Sequence, residues 1–435
     1  MWQTQDGPLP TPRSLGWTWL GPCVAFLLIA LILGLWFLGL EQAYRAVLRV
    51  FGVEAGPFPF FDVHAITSAI ECARAGVDVI AANPCDAGAR PHTYSPLWLR
   101  AAALPVTRAW SLPAGMVLVM AFLASLFLLP WPRDLFSIVV GVAAMASSAV
   151  VFALERANND LLVFALVAGA LWTGHAGLAL RMLGYAGLVA AGLLKFYPLT
   201  ALVLLARERL PVALAVGMAC LLVVALAFVP VADDTLRAMR NIPANIFATD
   251  AFGAANAVRG VPVGLAHYGV QLPWLGPVLM AGLLVYALSI SVRLGRGWRI
   301  AEDVQVLPTA ERDGLLAGGV LVAACFLTAH NIYYRAILLL LLLPGLLRLA
   351  RIAKGRAERP IYVAAIGVIL FLLWSPAIRM PLAENSGGWI VGVVLGSFDV
   401  AREAAWWWLT ALLGILAWSA LRTMPAWRDL FLTQH

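Results

Sequence analysis

Long apolar runs separated by short polar breaks occupy nearly the whole chain. They cover residues 20–40, 112–129, 135–154, 161–172, 212–229, 274–292, 315–329, 337–347, 361–376 and 406–421. Many approach the roughly 20 residues an α-helix needs to cross a bilayer, where each backbone polar group must be satisfied within the protein. Two further runs, 184–194 and 199–206, are too short to cross alone and flank Lys195-Phe196-Tyr197-Pro198. Proline disfavours helix at the residue before it, so this pair predicts a broken hairpin. The pattern therefore predicts an all-α polytopic membrane protein of about twelve transmembrane helices, two of them short. A Gly-rich piece, 387–396, reads as re-entrant or interfacial.

Two polar interruptions stand out. The first, 41–108, opens with apolar Tyr44, Val47, Leu48 and Phe51 at helical spacing against Arg45 and Arg49, the pattern of a short helix lying on a membrane surface. It continues through the longest polar stretch of the chain, 58–98. The second is 232–268.

Composition agrees with the pattern. The 435 residues are 62% hydrophobic and only 12% charged, with a mean hydropathy of +0.87. A soluble domain is about half apolar and a quarter charged. The expectation is one membrane domain over 1–435 with its loops, leaving no room for a separate soluble catalytic unit. The segment before residue 20 is polar and the run after it is too long for a signal peptide, so 20–40 reads as a first transmembrane helix.

The net charge of +7 does not imply nucleic acid, because the cations sit in short loops rather than along one stripe. The positive-inside rule then orients the chain. Placing Arg13 and the cluster Arg348, Arg351, Lys354, Arg356 and Arg359 in the cytoplasm also puts Arg133, Arg181, Arg207, Arg209, Arg293, Arg296 and Arg299 there. The same assignment sends 41–108, 155–160, Lys195, 232–268 and 330–335 to the opposite face. Cys23, Cys220 and Cys325 lie in apolar runs, whereas Cys72 and Cys85 share the first loop and could pair if that loop is outside the cytoplasm.

Charges at the ends of membrane helices are functional candidates by default. On the face opposite the cytoplasm they form a carboxylate group, Asp62, Glu155 and Asp160, and a cation group, Arg156, Lys195, Arg335 and Arg259. Asp62 follows Phe58, Phe60 and Phe61, and a partly desolvated carboxylate there can act as general base on a hydroxyl. It also precedes a helical run and so fits an N-cap. His64, two residues on, would make an Asp-x-His pair for a divalent metal, but no third ligand is evident and no cofactor is assigned. Residues 155–160 admit a polar turn that caps the next helix. Lys195 can contact phosphate or reach for the interface. His330, Asn331, Tyr333, Tyr334 and Arg335 open a run of Leu and Ile, where an aromatic belt explains the tyrosines alone.

The order of these segments resembles the GT-C superfamily of integral-membrane glycosyltransferases. The residues that carry the resemblance are an Asp in a long first outer loop, Ala75-Gly76-Val77-Asp78, Tyr94-Ser95-Pro96-Leu97, 155–162, Leu194 to Pro198 and Asn331 to Arg335. The branch is the bacterial one that uses polyprenyl-phosphate sugars to transfer mannose or arabinose. The resemblance implies inverting transfer from a polyprenyl-phosphate-linked sugar to a glycolipid or glycan hydroxyl at the periplasmic face of the bacterial inner membrane. In it Asp62 is the base, and Lys195, Arg335, Arg156 and Arg259 meet the donor phosphate. His64, Tyr94, Glu155, Asn159, Asp160, His330, Asn331, Tyr333 and Tyr334 become substrate-binding candidates. The competing readings are a transporter or flippase of lipid-linked or anionic solutes, and a membrane scaffold.

Overall fold

A computed structural model describes residues 19–242, 251–267, 269–297, 299–328, 330–384 and 389–431. The described chain is almost entirely helical, with one two-stranded ribbon, so the protein is all-α and its long apolar helices make it a membrane protein. Each of the twelve apolar runs falls on helix. Among the described residues, however, only six helices are long and apolar enough to cross a membrane, or seven if a bent pair counts as one span. The number expected from the sequence is larger because several apolar runs are short helices enclosed by protein.

The chain begins with α1 (Leu20–Phe37) and the amphipathic α2 (Glu41–Val50), whose Tyr44 and Leu48 are buried while Arg45 and Arg49 face outward. The first loop then supplies α3 (Phe61–Arg74), which returns through a 3-10 turn over Pro96–Ala103 to α4 (Ser111–Ser125). Next come α5 (Leu135–Met145) and α6 (Ser148–Arg156), bent by 44° at their junction. They lead to α7 (Asp160–Thr173) and α8 (Leu178–Leu194), which pack side by side.

The expected broken hairpin has one α-helical arm and one 3-10 arm, Tyr197–Arg207. With 17 residues, the α-helical arm α8 is about 26 Å long at 1.5 Å per residue. The 3-10 arm has only 11 residues but reaches about 22 Å at 2.0 Å per residue. Both are shorter than the roughly 30 Å hydrocarbon core, and tighter winding is how the shorter segment keeps pace.

Beyond it, α9 (Leu210–Phe228) is mostly exposed and continues through a short turn into α10 (Ala232–Arg240), so the second loop starts as an extension of a membrane helix. Strand β1 (Ala251–Phe252) leads to α11 (Ala255–His267) and α12 (Leu275–Gly297), then α13 (Ile300–Gln305) and α14 (Thr309–Thr328). Strand β2 (Asn331–Ile332) pairs antiparallel with β1, Phe252 opposite Asn331. A second long 3-10 segment, Tyr333–Leu341, and α15 (Leu343–Ile352) follow, and nearly every side chain in both is buried. The run 337–347 is thus a core element rather than a lipid-facing span. Last are α16 (Arg359–Glu384), α17 (Trp389–Leu421) and α18 (Pro425–Phe431). The described part of the Gly-rich piece is the start of α17, not a separate re-entrant turn.

Candidate functional site

The ends of α7 and α8 fix where charge collects. Because the two helices pack side by side and are joined by a short turn at Thr173 and Leu178, Asp160 at the start of α7 meets Lys195 just after α8. Lys195 Nζ lies 2.7 Å from Asp160 Oδ2, and the Arg335 Nε lies 3.3 Å from the same oxygen. Tyr197 donates its hydroxyl to Asp160 Oδ1 at 2.7 Å. Asp160 is completely buried, and a buried carboxylate persists only when paired this way. The Arg335 guanidinium also donates to Asn331 Oδ1 and stacks 4.9 Å above the Tyr197 ring.

Asn158 joins this group to Asp62. Its Nδ2 donates to Asp62 Oδ2 at 2.8 Å, its Oδ1 accepts from Lys195 Nζ at 2.8 Å, and the same Oδ1 accepts the Asp160 N–H at 3.0 Å. The other Asp62 oxygen is 3.4 Å from Arg90 Nη1. Tyr94 accepts a long 3.4 Å bond from Asn158, and the Tyr94 and Tyr334 rings each lie 5.7 Å from the Lys195 ammonium.

Asp62 is not an N-cap. Helix α3 starts at Phe61 with Phe60 as its cap residue in the left-handed conformation and no side-chain cap bond. Phe60 is held there by donating its N–H to Glu155 O at 2.7 Å, with its ring against Gly115, where a Cβ would come within 2.3 Å of it. Asp62 is therefore in the first turn, and its carboxylate is free to reach Asn158. The turn over 157–159 does cap the next helix: Ala157 ends α6 in the left-handed region, the cap residue Asn159 makes no side-chain bond, and Asn158 Oδ1 accepts the first N–H of α7, that of Asp160. Among the described residues the non-glycine residues with positive φ are Phe60, Ala89 and Ala157. They stand just ahead of Asp62, Arg90 and Asn158, and Asp62 touches both of the others. Strain of this kind, on the order of 1–3 kcal/mol each, collects where surrounding structure enforces one shape.

The cluster opens on a cavity of about 570 Å³ lined by Asp62, Arg90, His92, Tyr94, Lys195, His330, Asn331, Tyr334 and Arg335 on its polar side. Leu194, Phe196, Met239, Ile242 and Ile332 make an apolar side, and the last four are exposed at the protein surface. Helix α10 forms part of the wall and is tied to the first loop by an Arg237–Asp78 ion pair and by Asn241 donating to Ile80 O at 2.6 Å.

Several expected site residues lie elsewhere. Glu155 is fully buried and accepts the Tyr44 hydroxyl at 2.5 Å, which fastens α2 to α6. Arg156 donates to Glu54 O at 2.9 Å and does not line the cavity. Asn159 is buried with neither side-chain atom hydrogen-bonded, so Asn158 rather than Asn159 connects the site. Tyr333 bonds Ser375 at 2.8 Å in the core, unlike its neighbour Tyr334. Arg259 is exposed on α11. His64 turns away from Asp62: its Nδ1 is 3.2 Å from Ser111 Oγ, its ring packs edge-on against Phe58, and burial lowers its pKa. The described residues contain no group of three His, Cys, Asp or Glu able to hold a metal. Asn331 holds the ribbon as well as Arg335, donating to Cys325 O at 2.6 Å. Asp250, a further charge in the second polar interruption, lies outside the described residues.

Sequence reasoning missed Asn158, Arg90, Asp86 and His92. Cys72 and Cys85 are joined by a disulfide, which brings the Asp86–Arg90 loop against α3. His92 is buried, its Nε2 is 3.3 Å from Ser95 O, and burial pushes its pKa down to about 4, so it is a neutral ring at neutral pH. A polar Asp-x-x-x-Arg pair beside a cysteine was the signal available for Asp86 and Arg90. No family model, curated protein or solved structure matches the chain.

Proposed function

We propose that the protein is a membrane glycosyltransferase that moves a sugar from a polyprenyl-phosphate donor to a hydroxyl of a glycolipid or envelope glycan, with inversion. The observation that carries this reading is a cavity in which a carboxylate, Asp62, stands one asparagine away from Lys195, whose partner Asp160 is shared with a second cation, Arg335. The cavity's other side is apolar and reaches the protein surface, which suits a substrate with a charged head and a hydrocarbon tail.

In this mechanism Asp62 accepts the proton of the acceptor hydroxyl, whose oxygen attacks the anomeric carbon. The bond from that carbon to the phosphate oxygen breaks, and the lipid phosphate leaves with one more negative charge. Lys195 and Arg335 meet that charge, and fixed cations in a site poor in water stabilise it more than solvent would. Asp160 offsets one of the two cations, so the three groups together keep one positive charge and binding a singly charged phosphodiester brings them near neutrality. The reading follows the GT-C resemblance, including about twelve crossings and a periplasmic site in a bacterial inner membrane. A flippase, the alternative, would use the same charges to carry the head group without breaking the anomeric bond.

The test uses purified protein in lipid vesicles with labelled polyprenyl-phosphate sugars and envelope glycolipid acceptors. Asp62→Asn is expected to lower transfer by about 10²–10⁴-fold, the usual worth of a general base. Well-folded Asp62→Asn protein that transfers sugar at the wild-type rate excludes the base assignment. Label that crosses the bilayer with its anomeric bond intact supports the flippase instead.

A further inference from the structure

The segment from Cys85 to Arg90 is built around one guanidinium. Asp86, whose side chain is fully buried, accepts from Arg90 Nε at 2.8 Å and Nη2 at 3.0 Å, and also from the backbone N–H groups of Gly88 and Arg90. Burial alone would raise the Asp86 pKa, but the bonds from Arg90 hold it below the usual carboxylate range. Position 88 is tight, since a Cβ would come to 3.0 Å from the Phe61 ring and 3.3 Å from Arg90 Nε. Ala89 takes the left-handed conformation just before Arg90. The Arg90 guanidinium lies 3.6 Å above the Phe61 ring, and its Nη2 donates to Phe61 O at 2.8 Å. The Cys72–Cys85 disulfide ties the start of this loop to the same helix that carries Asp62.

Arg90 lines the cavity, so binding the donor phosphate is the first role to consider. Its donors argue against it. An arginine has five N–H groups. Here Nε and Nη2 are committed to Asp86 and Phe61 O, and one N–H of Nη1 faces Asp62, which leaves a single N–H of the five for any ligand. Asp86 also neutralises its charge. What remains is a rigid plate set beside Asp62 Oδ1, while Asn158 holds Oδ2.

The geometry assigns Arg90 a positioning role: locked by Asp86 and by the Cys72–Cys85 bond, it fixes the plane of the Asp62 carboxylate so that its remaining lone pairs face the cavity. The inference rests on the proposed general-base role of Asp62. Lysine could keep the charge at position 90 but could not fork between Asp86 and Asp62, so Arg90→Lys should recover only part of the function.

The experiment has two independent readouts on vesicle-reconstituted protein. In transfer kinetics, Arg90→Met is expected to lower kcat by about 10²-fold, the effect of a misplacement near 1 Å, with little change in donor KM. Arg90→Lys should fall between Arg90→Met and wild type. A raised donor KM with unchanged kcat would make Arg90 a phosphate ligand and overturn the proposal. The second readout needs no activity: the rate at which a carbodiimide modifies Asp62, followed by peptide mass spectrometry. It is expected to rise severalfold in Arg90→Met, in Asp86→Asn and in the double variant Cys72→Ser/Cys85→Ser. Equal modification rates in all of these would refute the clamp. If wild-type protein transfers no sugar while these rates respond as expected, the glycosyltransferase reading fails and the clamp stands.

Discussion

The two ends of the α7–α8 pair carry similar side chains in dissimilar settings. At one end Asp160, Lys195, Arg335 and Tyr197 join Asn158 and Asp62 beside a cavity of about 570 Å³. At the other, Arg207 donates to the Tyr185 hydroxyl at 2.9 Å and lies 3.2 Å from Asp313, while Tyr185 and Arg181 bond Glu208. Both groups mix carboxylate, cation and phenol, and Asp160 and Asp313 are equally buried. The far group lines no part of the cavity, and the Arg207 guanidinium fills the space against Gly174, where a Cβ would lie 2.2 Å from it. Residue chemistry alone therefore does not separate a candidate site from a staple. Room for a substrate does.

Three measurements press on this contrast. Asn158→Ala removes the link between Asp62 and Lys195, and transfer should fall by about 10²-fold, as expected for lost positioning. Unfolding measured alongside should shift far less than activity. Arg207→Met should do the reverse. Removing one partner of a buried ion pair costs about 3–5 kcal/mol, so the unfolding midpoint should drop while the rate per folded molecule stays close to wild type. A rate loss in Arg207→Met that exceeds its loss of folded protein would erase the distinction between the two ends.

The smallest effect concerns acid. Asp86 has a depressed folded-state pKa, so its contribution is complete above the unfolded value near 3.9 and is lost as pH falls through the lower folded value. Hydrogen exchange at Gly88 and Arg90, whose N–H groups Asp86 accepts, should therefore keep its protection down to about pH 4 and lose it below. Loss of protection between pH 7 and pH 5 would contradict the assignment.

Much of the site was readable from charge position. Asp62, Asp160, Lys195 and Arg335 were grouped on one face by the positive-inside argument, and the structure brings them within one network. What the sequence could not settle was rotation. Glu155, Arg156, Asn158, Asn159 and Asp160 are all polar neighbours, and the left-handed Ala157 decides which of them turns toward Asp62. The Asp62 cap and site roles were equally compatible with spacing until Phe60 took the cap position. Helix length failed for a related reason. Apolar content identifies an apolar run, but nothing in it distinguishes an α-helix facing lipid from the half-buried 3-10 segment Tyr197–Arg207 or the buried one, Tyr333–Leu341.

The left-handed residues at 89 and 157 are alanines where glycine would be the unstrained choice. An L-residue in that region costs about 1–2 kcal/mol. An alanine also gives the unfolded chain fewer states to lose than a glycine does, worth about 0.4–1 kcal/mol. The two effects oppose each other and leave a small net penalty. In exchange the turns before Arg90 and Asn158 have fewer alternative conformations to wander into. Their precision thus comes partly from conformational entropy removed before folding begins, and not only from the bonds that hold them afterwards.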